Sequence, residues 1–127
     1  VIAVLAILSA VAVPAFVGVQ ANARASAVKN GLVNGVKECV VRDADNQTTA
    51  YADVQSFKGS YSGYTLAQDA SAQGDSCYSA KATPATSKAT QEAEFYISLN
   101  SSTGEVSKTC KNPSKVIAPG CPSTELW

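Results

Sequence analysis

The sequence has no histidine and no methionine, and its ten basic and ten acidic residues cancel. Without histidine there is no imidazole base for a Ser-His-Asp or Cys-His pair, so we expect no catalytic residues and a protein that is not an enzyme. The balanced charge argues against nucleic acid as the main partner, because phosphate binding needs a basic face. The absence of methionine also indicates that Val1 is not a translation start, and we expect a processed or truncated chain.

Cysteine is present but widely spaced, at Cys39, Cys77, Cys110 and Cys121. No two of these form the Cys-x-x-Cys pair of zinc knuckles or of covalent haem attachment, so we expect no metal and no cofactor. Two disulfides formed in an oxidising compartment fit the spacing better. Four cysteines allow three pairings; proximity in the chain favours Cys110 with Cys121, which leaves Cys39 with Cys77.

Two other groups of side chains suggest binding sites, and for both a structural role is favoured. Asp43, Asp45 and Asn46 offer oxygen ligands for calcium, but the glycine and the distal glutamate of an EF-hand loop are missing, so a solvated loop is preferred. Aromatic side chains could form an adhesive surface, although core or loop-anchoring roles are favoured for each of them: Tyr51, Tyr61, Tyr64, Tyr78 and Trp127.

The chain opens on an apolar run, residues 1–19, which only Ser9, Pro14 and Gly18 interrupt. As a helix, about 19 residues rise roughly 28 Å, close to the hydrocarbon thickness of a bilayer. No basic region precedes the run and no small-residue cleavage pattern follows it, so it does not have the features of a signal peptide. We expect it to insert into a membrane or to pack against other copies of itself.

Beyond this run the apolar residues recur every three or four positions, at Val17, Ala21, Ala25, Val28, Leu32, Val36 and Cys39 or Val40. This spacing predicts one long helix over residues 1–42, with an apolar half (1–19) and an amphipathic half (20–42). Pro14 removes a backbone hydrogen bond and is the expected helix break, as a kink or as local melting. For the pair Gly31 and Gly35, close packing against the domain's own sheet, or plain tolerance of glycine at these positions, is favoured over a membrane dimer face.

Residues 43–127 are predicted to form a globular head of mixed structure. The predicted elements are a polar variable loop (43–55), a possible strand (61–66), an exposed low-complexity loop (79–90), a hairpin of strands 94–99 and 105–110, and an irregular C-terminal segment. The predicted fold class is α+β: the C-terminal half of the long helix packs on a small antiparallel sheet. Leu32, Val36 and Cys39 would then lie beneath the sheet, against Phe95, Ile97 or Val106.

The apolar sequence of residues 1–16, followed by QANARASAVK at 20–29, resembles the conserved helix of type IV pilins. The resemblance is strong as far as about residue 40. Beyond that point only the order of the elements is similar: a variable loop, a hairpin and a C-terminal segment bracketed by two cysteines. Mature pilins begin with an N-methylated phenylalanine and carry an early glutamate. Alignment on Pro14 implies that roughly eight residues, these two among them, precede Val1 in the natural chain.

The resemblance implies the structural subunit of a type IV pilus, a fimbrium that supports adhesion, surface motility or DNA uptake. Before assembly, such a subunit is held in the inner membrane. It interacts with the pilus assembly machinery and is secreted to the cell surface as a homopolymer of many copies. The family also implies that the helix melts within residues 6–14 on leaving lipid, and it supports the Cys110–Cys121 pair.

Two alternatives to a pilus subunit share parts of this sequence pattern. Pseudopilins of type II secretion systems have the same helix, but major pseudopilins often bind calcium through late carboxylates, and residues 106–127 contain only Glu125. A membrane-anchored binding domain that never polymerises is the other alternative, although a simple anchor has no need of an amphipathic helical extension.

Overall fold

One long helix and a four-stranded sheet make up the fold in the computed structural model, which describes residues 2–59, 61, 63–69, 76–114 and 116–127, with side chains from Gln20 onward. The helix is α1 (Ile2–Ala44), and the strands are β1 (Tyr64–Gln68), β2 (Ser79–Pro84), β3 (Glu94–Leu99) and β4 (Val106–Lys111). Three short 3₁₀ helices cover Tyr51–Asp53, Gln55–Lys58 and Thr86–Lys88. The predicted α+β class is confirmed.

Helix α1 is continuous over 43 residues and ends two residues beyond the predicted Arg42. At 1.5 Å per residue it is roughly 65 Å long. The helix continues through Pro14, so the local melting expected there is not seen in the isolated chain. The interruption expected within residues 6–14 of an assembled filament stays a prediction.

The prediction that residues 1–19 insert into a membrane concerns side chains that lie outside those that the structure describes. Across the described part of the chain, no helix is long and apolar enough to cross a membrane.

The sheet is antiparallel throughout, in the order β1-β2-β3-β4. Strand β3 has the predicted bounds, and β4 is displaced from its prediction by one residue. Between them, Asn100 N–H donates to Glu105 O (2.8 Å) and Gly104 N–H donates to Asn100 O (2.7 Å). Gly104 has φ +77°, a left-handed conformation that glycine adopts without a steric penalty. The predicted β3–β4 hairpin is confirmed.

The prediction of a loop over residues 79–90 is wrong for its first half, because that half forms the central strand β2. Ala80 and Ala82 are fully buried, whereas Lys81 and Thr83 alternate with them and are half-buried. Alanine has low strand propensity, but its small side chain suits a strand that a helix covers closely. The alternation of period two was present in the sequence and was masked by the Ala/Thr/Ser/Lys composition of the whole tract. The first strand also lies later than predicted, at residues 64–68.

The core lies between α1 and the middle of the sheet. Leu32, Val36 and Cys39 are buried there, as predicted, in one cluster with Phe95 and Ile97. The prediction for Val106 is wrong, because α1 lies over β2 and β3 rather than over the edge strand β4, and Val106 is 47% exposed.

Gly31 and Gly35 provide space for two aromatic rings that the segment after α1 places against the helix. A Cβ atom at Gly31 would overlap the Tyr61 ring, and one at Gly35 would overlap the Phe57 ring. Phe57 also stacks on Tyr51, with ring centroids 4.7 Å apart. Close packing within the domain was predicted correctly, but its partner is this aromatic segment and not the sheet.

Both predicted disulfides are present. Cys39 on α1 is bonded to Cys77 before β2, and Cys110 at the end of β4 is bonded to Cys121. The Cα atoms lie 5.6 Å apart in the first pair and 5.9 Å in the second, within the usual range.

Candidate functional site

Exposed apolar side chains can mark a surface where a protein contacts a partner, so they are a starting point for a candidate functional site. Among the described residues, the large exposed apolar side chains fall in three pairs: Val40 and Val41, Val116 and Ile117, Val106 and Leu126. The first pair lies near the C-terminal end of helix α1, the second lies within the Cys110–Cys121 loop, and the third lies on β4 and the C-terminal tail.

Asn112 organises the disulfide loop (residues 110–121). Its Oδ1 accepts the Ala118 N–H (3.0 Å), its Nδ2 donates to Pro122 O (3.2 Å), and its own N–H donates to a Glu125 carboxylate oxygen (3.3 Å). Ala118 is thereby buried, whereas the adjacent Ile117 is 66% exposed. The loop therefore presents its apolar pair to solvent on a backbone held at both ends.

The C-terminal tail covers part of the free edge of β4. Cys110 N–H donates to Glu125 O (2.9 Å), and Trp127 N–H donates to Lys108 O (3.4 Å). Edge strands with unpaired backbone groups are templates for unwanted pairing, and this tail blocks the C-terminal half of the edge.

Trp127 fixes the tail to the core. Its Nε1 donates to Thr109 O (2.5 Å) and to Tyr96 O (3.1 Å), and its ring meets Phe95 edge-on, with centroids 6.2 Å apart. The Lys29 ammonium lies 5.2 Å from the Phe95 ring centroid and 5.8 Å from that of Trp127. Burial lowers the pKa of Lys29, and the two ring faces offset part of that cost.

The helix exit, residues 42–53, is tied down by polar contacts. Arg42 Nε donates to Thr48 O (3.0 Å), and Tyr78 OH donates to Asp43 Oδ2 (2.7 Å). Burial, with the Asp43 hydrogen bond second, raises the pKa of Tyr78 to about 12. Asn46 has φ +57° and turns the chain away from the helix. Asp43 is thus engaged by a tyrosine, and Asp45 and Asn46 lie in the exposed turn.

Two polar anchors were not predicted from the sequence. Arg24 Nη2 binds Glu92 Oε1 at 2.5 Å, although 68 residues separate them, and Glu92 is only 4% exposed. The Glu38 carboxylate accepts the N–H groups of Gln55 (2.9 Å) and Ser56 (3.1 Å). Each pair joins the helix to a distant loop, and no local spacing rule indicates such partners.

Glu38 should make the protein weakly acid-sensitive. The Gln55 N–H, aided by Ser56 and the Arg42 charge, lowers the pKa of this carboxyl below its ordinary value of 4.5. The stabilisation is therefore complete above that value and is lost as pH falls through the lower, folded-state pKa. Because the side chain is only half-buried and solvent still screens its charge, we expect less than about 1 kcal/mol.

Urea unfolding between pH 7 and pH 2 measures this effect in wild type and in Glu38→Gln. The variant should show a shallower loss of unfolding free energy below pH 4.5. Glu105→Gln, in the exposed hairpin turn, is the matched control and should follow wild type. Equal pH profiles for Glu38→Gln and Glu105→Gln would contradict the assignment.

The five aromatic residues considered for an adhesive surface are mostly anchors. Tyr64 and Tyr78 are buried, Tyr61 OH donates to Ser56 O (2.9 Å), and Trp127 fixes the tail. Within the part of the chain that the structure describes, no three His, Cys, Asp or Glu side chains are grouped so as to hold a metal ion.

Comparisons with protein-family models, with curated proteins and with solved structures give no match to this chain. The candidate site is therefore defined by its own geometry, as the exposed apolar pairs and the disulfide loop.

Proposed function

We propose that this protein is the structural subunit of a type IV pilus filament, with no catalytic role. The observation that supports this most is the length of one helix compared with the size of the head. Helix α1 runs for 43 residues, yet its core residues among those described lie between Ala25 and Cys39. A head of about 85 residues cannot cover a helix roughly 65 Å long.

In the proposed life cycle, the apolar half of the helix, residues 1–19, has two roles. It holds the subunit in the inner membrane, and it then exchanges lipid for the apolar helices of neighbouring copies when the assembly machinery extends the fibre. Burying roughly 1,000 Å² of apolar surface is worth about 25 kcal/mol against water, but far less against lipid, which is already apolar. A small net difference suits a subunit that must leave the membrane.

The head also has features that suit the outside of a cell. Two disulfides join its irregular segments to the helix and to the sheet. Small exported domains commonly use such bonds because their cores are thin. On the fibre surface these heads would provide the contacts for adhesion, surface motility or DNA uptake.

Electron microscopy of sheared cell surfaces tests the proposal, with peptide mapping of the sheared fraction. We expect long thin fibres in which this chain is the main component. Leu8→Asp, which places a charge in the apolar half, should abolish the fibres. Ser26→Asp, on the exposed side of the amphipathic half, should keep them.

Two other outcomes would each replace the proposal. Short filaments confined to the periplasm would indicate a type II secretion pseudopilin. A membrane-bound protein that forms no filament, in wild type as in Leu8→Asp, would indicate an anchored binding domain.

A further inference from the structure

One buried carboxylate oxygen in the head accepts no hydrogen bond. Glu92 is only 4% exposed, and two nitrogens of Arg24, Nε (3.2 Å) and Nη2 (2.5 Å), donate to the same oxygen, Oε1. A guanidinium often binds both oxygens of a carboxylate, and here it binds one. The second oxygen, Oε2, is buried, and no described residue donates to it. Because an unpaired acceptor on a buried charge is costly, a donor from outside the chain would stabilise it.

Glu92 lines a cavity at the end of the sheet where β3 begins and β4 ends. The volume of this cavity is about 220 Å³. Pockets for drug-sized ligands have roughly 300–1,000 Å³, so this one suits a smaller molecule. Thr83 of β2, Glu94 of β3, Lys111 of β4 and Ser114 also line it. The walls therefore offer both donors and acceptors of hydrogen bonds.

The cavity walls carry charges of both signs that are not joined to each other. Glu94 and Lys111 are paired in the β3–β4 register, and such neighbours have Cβ atoms about 4.5–5.5 Å apart. No salt bridge between described residues joins these two side chains. Arg24 balances the charge of Glu92, and Lys111 balances that of Glu94. A simple cation or a simple anion is therefore less suited to the cavity than a ligand that carries both charges.

We propose that this cavity binds a small zwitterion, an α-amino acid. The ligand ammonium donates to Glu92 Oε2 and to the Glu94 carboxylate, and the ligand carboxylate accepts from the Lys111 ammonium. All three contacts are charge-assisted hydrogen bonds, which are the stronger class. Lys111 and Ser114 are exposed, so the ligand enters from solvent. Oε2 is almost closed to solvent, and binding therefore includes a side-chain rotation at the cavity wall.

Amide-resolved NMR of the full chain in detergent, titrated with L-alanine, tests the site. We expect saturable shifts at the lining residues in the millimolar range, because few contacts in a small open cavity give modest affinity. Ethylamine is alanine without its carboxylate, and propionate is alanine without its ammonium. Each should bind at least about tenfold more weakly than alanine. Absence of saturable shifts with alanine, or equal binding of either single-charge probe, would contradict the zwitterion site.

Two substitutions remove the charged partners of the ligand one at a time. Glu94→Gln and Lys111→Gln should each weaken alanine binding at least about tenfold. Glu105→Gln and Lys37→Gln are the matched controls, since both residues are exposed and neither lines the cavity, and they should bind alanine as wild type does. Equal affinities in the cavity variants and in the controls would overturn the proposal.

Glu92→Gln tests the buried oxygen itself. Glutamine keeps an oxygen for Arg24 but places an amide donor where Oε2 lies, so the ligand ammonium would face a donor. We expect a folded spectrum without alanine binding. If the variant does not fold, the Glu94 and Lys111 variants decide the outcome. Wild-type affinity in folded Glu92→Gln would remove Oε2 from the site and overturn the proposal. None of these measurements depends on filament assembly, because one copy contains the whole site.

Discussion

Replacing Leu32 by alanine should lower the free energy of unfolding by about 2–5 kcal/mol. Leu32 is fully buried at the centre of the core, between α1 and the sheet, where Phe95 and Ile97 are also buried. The substitution removes three carbon atoms and leaves a cavity that the disulfide-bonded head cannot easily close. Urea unfolding, followed by fluorescence of the single tryptophan, Trp127, gives the value because that ring packs on Phe95.

Leu126→Ala is the matched control, since it deletes the same atoms from a side chain that is 59% exposed. Its backbone bridge to Thr109 does not depend on the side chain, so we expect a change within about 0.5 kcal/mol. A cost for Leu32→Ala no larger than that of Leu126→Ala would mean that the helix does not pack on the sheet as described.

The helix and the β3–β4 hairpin could be predicted because both have strong local patterns. Leu32, Val36 and Cys39 repeat with the helical period, and the alternating residues of 94–99 are bounded by a turn with Gly104. Strand β2 was missed because its inward residues are alanines, whose burial depends on the helix above them and not on their own hydrophobicity. Tertiary packing overrode local propensity at that strand.

The candidate site was predictable only in part, for the same physical reason. The Cys110–Cys121 loop follows from proximity along the chain, which is a local property. The exposure of Val106 depends on how far the helix reaches across the sheet, and the Arg24–Glu92 pair depends on the loop before β3 returning to the helix.

Removing the Cys39–Cys77 disulfide should destabilise the protein more than removing Cys110–Cys121. The two bonds close stretches of 38 and 11 residues, and the chain-entropy model gives about 4 kcal/mol for the longer and about 3 kcal/mol for the shorter. Alanine pairs, Cys39→Ala with Cys77→Ala and Cys110→Ala with Cys121→Ala, are the appropriate variants. Serine would add the cost of burying a hydroxyl group at positions that are almost fully buried.

The folded state supports the same order. Cys77 N–H donates to Thr49 O (2.7 Å), so the Cys39–Cys77 bond holds both the helix exit and the entry to β2 against α1. Without the Cys110–Cys121 bond, the hydrogen bonds of Asn112 still link the disulfide loop to the tail. Urea unfolding of the two double-alanine variants measures the difference, about 1 kcal/mol. If the loss of Cys110–Cys121 costs more, the C-terminal loop rather than the helix junction is the main covalent support of the head.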